Sequence, residues 1–518
     1  MNRTCLLLLA IFVFVSCKKN DSERTEVLYP TFSIHPDSVK LNPSGNAPLS
    51  ALVNFQSPIK GKVRLIVKGK HGDSSDLHHD FTLDDNVHSI PVAGLYGGYA
   101  NQVIIQVLTS TGQLTEARLT IQTAPLHDSL PASLVVDVAQ RSKMEPGMNL
   151  VSSFSGGPAQ AVMPYMVDSY GDIRWYLDFS KYPGLETMNY ECGISRLRNG
   201  NFYFAEPSTS KIYEVDLMGT VLNTWYFPPY WFHHDMEEKA NGNFLMSVNK
   251  AGSVNLNGVP TIEDYIIEID RKTGQIITEW DLKESLDELR VALTTDANDW
   301  MHVNAITEDP NDNTIIVSGR TQGVVKLGYD NSVKWILSNH RGWGKNRRGE
   351  DLNQYLLQPL DASGQPITDA ALIDGSVAHP DFEWPWFQHS PVVMPDKSVL
   401  IFDNGTFRNY DLGQPKYSRA VQYVIDPSAM TVSQKWSYGK ERGEQTFSSI
   451  ISGVGYLPST KNILFCPGWF VPNANGFGGK VVEIDYATRQ PVFQLSINAR
   501  KSYEFHRVER MPLYPVNL

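Results

Sequence analysis

The chain has 518 residues, 42% hydrophobic and 11% aromatic, more apolar material than one ordinary core organises, so two or more domains are expected. Lys and Arg number 45 against 56 Asp and Glu, a formal charge of −11, and no basic stripe interrupts that balance. These values exclude a disordered chain and a nucleic-acid partner.

Residues 1–17 read as an export signal. One Arg precedes an apolar run from Leu6 to Val15 that is too short to span a bilayer. Phe14-Val15-Ser16-Cys17 then leads into a polar stretch, which resembles a bacterial lipoprotein signal with Cys17 as the lipidated residue. A plain secretory leader is the alternative. Either way the protein is expected outside the cytoplasm, in the periplasm or cell envelope, with residues 18–28 as a tether. Only Cys192 and Cys466 fall in the body, where they either pair or remain two buried thiols. Neither belongs to a CxxC or zinc pattern.

From 29 to 125 short alternating runs (KVRLIVKG, HDFTLDD, NVHSIPVAG, NQVIIQVLTS, EARLTIQTA) are separated by Gly, Asn, Asp and Ser turns. That spacing predicts a small antiparallel β-sandwich. His71, His78, His79 and His88 lie there without a common frame and read as surface or edge residues. The two prolines of PLHDSLPASL mark a boundary at 125–134.

From 135 to 518 one unit recurs: a polar turn, an apolar strand, an E-V-D or E-I-D strand, a Gly-bearing turn and a strand with Trp or Phe. Five copies are visible, and a sixth is suggested by MPYMVDSYGDIRWYLDF completed by the terminal RVERMPLY. Strand-rich units repeating in this way predict a β-propeller, here six-bladed, so the whole chain is expected to be all-β. LKESLDELRVAL (282–293) is the one amphipathic helix candidate.

Three histidines share one frame within the repeat. His234 stands ten residues before the strand at Phe244, His389 ten before Val399, and His302 twelve before Thr314, the two extra residues lying in the DPNDN turn. Cys192 and Gly453 hold the corresponding places in neighbouring copies. The strand entered after such a turn is expected to line the central channel, so the three imidazoles should meet at one mouth. A packing role would tend to be shared by all copies; three consecutive histidines favour a site. The alternative is three unrelated structural histidines.

Three imidazoles can bind zinc, but Arg320, on the strand after the His302 turn, would set a fixed cation beside the metal. A guanidinium instead offers forked donors to sulfate or phosphate, and Asn304 adds a neutral donor. The pattern therefore reads as an oxyanion cradle, with no metal or other cofactor called for. One imidazole could attack sulfur or phosphorus while others donate or protonate the leaving oxygen. A structural Ca²⁺ at EDPNDN stays open.

FHHD, DWMHVNAI, SGR, WPWFQH and FDNGTFR resemble the bacterial, PAPS-independent arylsulfotransferases over most of the chain. The resemblance implies a ping-pong transfer of a sulfo group from a donor aryl sulfate to an acceptor phenol, with His389 as the nucleophile. His234, His302, Asn304 and Arg320 would bind sulfuryl oxygens, and one histidine would assist proton movement. His233 is expected behind His234. Trp384, Trp386 and Phe387 are the candidates to sandwich a phenyl ring, against a packing role in the blade. Tyr503, His506 and Arg507 near the C-terminus could close the ring or reach the mouth and carry no assigned role, and FDNGTFR is expected to form a turn and support the channel wall through Arg408. The short-spaced disulfide of soluble family members has no counterpart here. An aryl-sulfate hydrolase using the same site and a non-catalytic surface propeller remain as alternatives. The oligomeric state, a homodimer included, is open.

Overall fold

A computed structural model describes residues 30–155, 163–186, 188, 193–293, 296–411, 413, 416–474, 476–498 and 503–515. The export signal with Cys17, the tether and Cys192 lie outside the described residues. No helix among the described residues is long and apolar enough to cross a membrane.

The N-terminal domain is built on one strand of 18 residues, Ser50–Val67, whose buried and exposed residues alternate. Its first half pairs with Val39–Leu41 and Asp85–Ala93, its second half with Leu77–Asp80 and Ala100–Leu108. The register breaks between Gln56 and Gly61, so one strand turns a corner and serves both layers. Gly61 permits this: a Cβ there would lie 2.6 Å from the Leu108 carbonyl oxygen.

Beyond it, the described residues form six sheets, antiparallel except where the two-residue strand Gln358–Pro359 joins Thr431–Tyr438 in parallel. Their inner edge strands are Tyr503–Met511, Ser195–Arg196, Tyr230–Glu238, Val303–Asp309, His389–Val393 and Gly453–Leu457. These edges meet in turn around an axis. Ser195 closes the circuit by donating to Glu509 at 2.8 Å. The first sheet takes its inner strand from the C-terminus, against Met148–Ser155. The last receives Ser133–Ala139 on its outer edge, against Pro491–Asn498. The chain is thus an all-β propeller preceded by a sandwich.

The repeat has a physical basis. Middle strands such as Phe202–Glu206 and Tyr265–Ile269 are buried at every residue, because neighbouring sheets cover both faces, whereas the outer strand Val221–Tyr226 is largely exposed. The turn asparagines bond to the glutamate of the E-V-D or E-I-D strand. Asn199 and Asn201 reach Glu214 at 2.8 and 2.7 Å, Asn243 reaches Glu268 at 2.7 Å, and Asn462 reaches Glu483 at 2.8 Å. Glycines in those turns take φ of 95° at Gly200 and 88° at Gly242.

Two expectations change. The strand beginning ten or twelve residues after each framed histidine is the second of its sheet, and the histidines lie on or at the start of the inner strand itself. The helix expected over 282–293 is one turn, Leu282–Ser285, capped by Asp281. Tertiary bonds hold the residues beyond that turn: Arg290 is drawn to the Arg341 carbonyl and to Gln322 at 2.9 and 2.7 Å.

Candidate active site

Four inner strands are irregular around the framed histidines and His506. Register shifts fall between Phe232 and Met236, Val303 and Ala305, His389 and Val392, and Phe505 and Arg507. His234, His302, Phe387 and Ser390 adopt φ of 55°, 52°, 56° and 50°, left-handed values unfavourable to side chains with a Cβ. Bulges re-aim side chains that a regular strand would send to alternate faces, and such strain persists where surrounding structure enforces it. The histidine frame is therefore a bulge frame.

His389 is buried, and its Nδ1 has two neighbours: the Asn404 Oδ1 at 2.8 Å and the Phe387 carbonyl oxygen at 3.2 Å. The Asn404 amide donates to the Ser448 and Ile451 carbonyls at 2.8 and 3.0 Å, which turns its oxygen toward the ring. Two acceptors at Nδ1 require the hydrogen there and leave the Nε2 lone pair available. Burial, followed by the charges of His506, Arg320 and His302, holds His389 well below the usual imidazole range despite the Asn404 bond. His389 is a neutral base of fixed tautomer.

His302 is the electrostatic opposite. Its Nδ1 lies 2.8 Å from Glu263 Oε2 and 2.6 Å from Asp299 Oδ2. Burial works against its charge, but the nearby Glu263 carboxylate and the Asp299 hydrogen bond raise it to about 8. Its Nε2 is buried with no partner among the described residues. Arg320 approaches Asp299 at 3.4 Å and lays its guanidinium over the Phe387 ring at 4.7 Å. Phe407 meets Phe387 at 5.5 Å in an edge-to-face contact.

His234 stands between these groups, its ring 4.8 Å from His302 and 5.8 Å from His506. Burial, then the charges of His302, His233, His506 and His389, keep it well below the usual range. His233 lies behind it, Nδ1 to Nδ1 at 3.2 Å. His506 is buried and depressed to about 3, by burial and then by Arg507, and its Nε2 has no partner among the described residues. The adjoining Arg507 reaches Asp235 at 2.5 Å.

A family model of arylsulfotransferases matches residues 135–506, and one of the arylsulfotransferase Ig-like domain matches 38–124. The chain belongs to the arylsulfotransferase family. It is 30% identical to the arylsulfate sulfotransferase AssT of Escherichia coli, over 90% of this chain and 91% of that protein. It shows the same identity and coverage to AssT of Lelliottia amnigena. Among solved structures, a virginiamycin B lyase from Staphylococcus aureus covers 74% of this chain and 89% of its own at TM-score 0.32 and 10% identity, too slight a likeness to bear on function.

In this arylsulfotransferase His234, His302, Arg320, Phe387 and His389 converge. Asn304 lies beside them but donates to the Gln388 carbonyl at 2.8 Å, bracing the strand that carries His389. Trp384 corrects an expectation: its indole is buried in a blade core against Phe382 at 4.9 Å and bonds to the Leu372 carbonyl at 2.8 Å, leaving no face for a substrate ring. Trp386 is similarly buried, edge-on to Tyr410. Arg408 is buried and donates to Asp403 at 2.9 Å. Asn404, in that same FDNG motif, was hidden because nothing in a turn motif announces its partner 15 residues earlier. His506, left without a role in the sequence reading because the closing strand lies outside the regular frame, sits on the inner strand Tyr503–Met511 with its ring 5.8 Å from His234. Asp299 opens the DWMHVNAI motif but was assigned no role there, and Glu263 lies in no motif.

Two groups present ligand atoms close enough for a metal ion, His233 with His234 and Glu263, and Glu263 with Asp299 and His302. In the second, the His302 proton already neutralises one carboxylate charge. The EDPNDN carboxylates bond instead to Lys326, at 2.6 Å from Asp309 and 2.7 Å from Asp312. Cys466 is a buried free thiol whose ionisation burial pushes up.

Proposed function

We propose that this protein moves the sulfuryl group of an aryl sulfate to a phenol in two steps, through a sulfo group carried on His389. The observation that carries the reading is the Asn404 and Phe387 acceptors at Nδ1, which leave Nε2 of a buried, neutral imidazole as the nucleophile. In the first step Nε2 attacks sulfur, the N–S bond forms and the S–O bond to the aryl group breaks. In the second, an acceptor phenol oxygen attacks sulfur and the N–S electron pair returns to Nε2. Arg320 and the imidazoles of His234 and His302 supply donors around the sulfuryl oxygens, where charge accumulates in transfer. The Phe387 and Phe407 rings beside Arg320 offer an apolar wall for the aryl group. The arylsulfate sulfotransferase relatives support the same substrate class.

The test uses a chromogenic aryl sulfate with and without a phenol, in wild type and His389→Ala. Phenol-dependent release in wild type, lost by several orders of magnitude in the variant, is expected. Release without acceptor would identify a hydrolase instead, and no release from a broad donor panel would favour a binding propeller. Mass spectrometry of the His389 peptide after donor alone, kept out of acid, should show an added sulfo group; an unmodified peptide excludes the covalent route.

A further inference from the structure

We infer that Glu263 and Asp299 are positioning residues that hold His302 as the acid and base of the reaction, giving its Nε2 proton to the leaving phenolate and later taking the acceptor's proton. The inference rests on the sulfo-transfer reading above and assigns the proton that reading leaves unplaced.

The geometry is that of an imidazole clamped from behind. Both carboxylates converge on Nδ1, at 2.8 and 2.6 Å, so that nitrogen must be the protonated one in either charge state. The opposite nitrogen, Nε2, is buried and has no partner among the described residues. It belongs to the ring that stacks edge-on against His234, inside the site. An acid–base group needs this arrangement, with one nitrogen anchored and the other directed at the reacting atoms.

The clamp is itself held in place. Glu263 sits at a φ of 56°, its backbone N–H donating to Asn249 Oδ1 at 2.7 Å and its carbonyl accepting from Val303 at 2.9 Å. The residue after each acid ties the two segments together: Trp300 Nε1 donates to Asp264 Oδ2 at 3.0 Å, and Lys283 donates to the same oxygen at 3.0 Å. Asp264 and Lys283 are buried. A strained backbone and a buried ion pair spent on orienting two acids toward one histidine mark a functional constraint.

The charged and titratable groups around His302 are Glu263, Asp299, Arg320, His233, His234, His389 and His506. Burial and then Arg320 oppose its charge, and the two carboxylates outweigh them, raising it to about 8. His233, His234, His389 and His506 are all shifted the other way, so His302 is the imidazole of this group that carries a proton near neutral pH. Its proton passes to the phenolate oxygen as the S–O bond breaks. The acceptor's hydroxyl proton then returns to Nε2 as its oxygen attacks sulfur, so the cycle balances without a further reagent.

The experiment compares Glu263→Gln, Asp299→Asn and wild type on two donors. Nitrophenyl sulfate releases a phenolate that departs unaided, whereas phenyl sulfate releases one whose conjugate acid has a pKa of about 10, near that of tyrosine. Donor kcat/KM reports the first half-reaction alone. Each variant should lose on the order of 10²-fold or more on phenyl sulfate and under about tenfold on nitrophenyl sulfate. Equal losses on both donors would overturn the inference. Wild type supplies a measurement independent of variant folding: phenyl sulfate kcat/KM should fall as pH rises through about 8, where His302 loses its proton, with a much shallower fall for nitrophenyl sulfate. Identical profiles for the two donors also overturn it. Failure of wild type to transfer from either donor would instead remove the sulfo-transfer reading itself.

Discussion

Asn404 decides which nitrogen of His389 is the nucleophile, and it does so by hydrogen-bond accounting. Its amide hydrogens are spent on Ser448 and Ile451, so only its oxygen can face the ring. Replacing Asn404 by Ala removes the principal Nδ1 acceptor and lets the imidazole turn or exchange tautomers. We expect kcat to fall on the order of a hundredfold or more, with donor KM changed far less, because ground-state contacts to the substrate remain. Steady-state kinetics on one donor–acceptor pair checks this, and a variant within about threefold of wild type would show the tautomer to be held by other means. Both His389 and Asn404 stand in the sequence inside recognisable motifs, yet their relation is not legible there. A hydrogen bond from the start of one strand to the turn beyond its neighbour depends on register, and register is set by bulges that no residue type announces.

Among the elements, the strand Tyr503–Met511 shows what the site costs. It enters as the inner edge of the first sheet and needs its neighbours stripped of side chains. A Cβ at Gly479 would lie 2.3 Å from the Phe505 ring, and one at Gly468 would lie 2.2 Å from the Phe505 carbonyl oxygen. Gly479→Ala should therefore displace Phe505, shift His506 beside it, and destabilise the fold by about 1–3 kcal/mol. Thermal unfolding measures the stability, and kcat/KM should fall with it. An unchanged melting temperature would mean that Phe505 repacks without strain. The repeat made the middle strands of the other sheets easy to place, but it set the inner edge one strand too late, at Phe244, Thr314 and Val399. The strand Tyr503–Met511 was the exception: its partner, Met148–Ser155, lies at the other end of the propeller sequence, so its pairing is purely long-range.

For the whole molecule, the sandwich and the propeller behave as one body. Buried hydrogen bonds join them: Ala93 N–H to the Tyr514 hydroxyl at 2.6 Å, Arg174 Nε to the Gly94 carbonyl at 2.9 Å, and Asn46 Nδ2 to the Gly219 carbonyl at 2.9 Å. One apolar cluster runs through the sandwich, the first two sheets and the last. Loosely linked domains would lack such a shared core. Calorimetry of the chain without its tether and signal, residues 1–28, should therefore show a single unfolding transition, and two well-separated transitions would show that the sandwich melts on its own.

Local sequence was enough for the all-β class and for the repeating sheet. Periodicity and turn chemistry carry these, and both are written in consecutive residues. It took the folded chain to establish that His389 is neutral with Nε2 free, that His302 is clamped by Glu263 and Asp299, that His506 completes the group, and that Trp384 is core rather than contact surface. Each of these depends on which atoms from distant strands meet in a water-poor interior, where one carboxylate or one carbonyl reverses the charge of an imidazole.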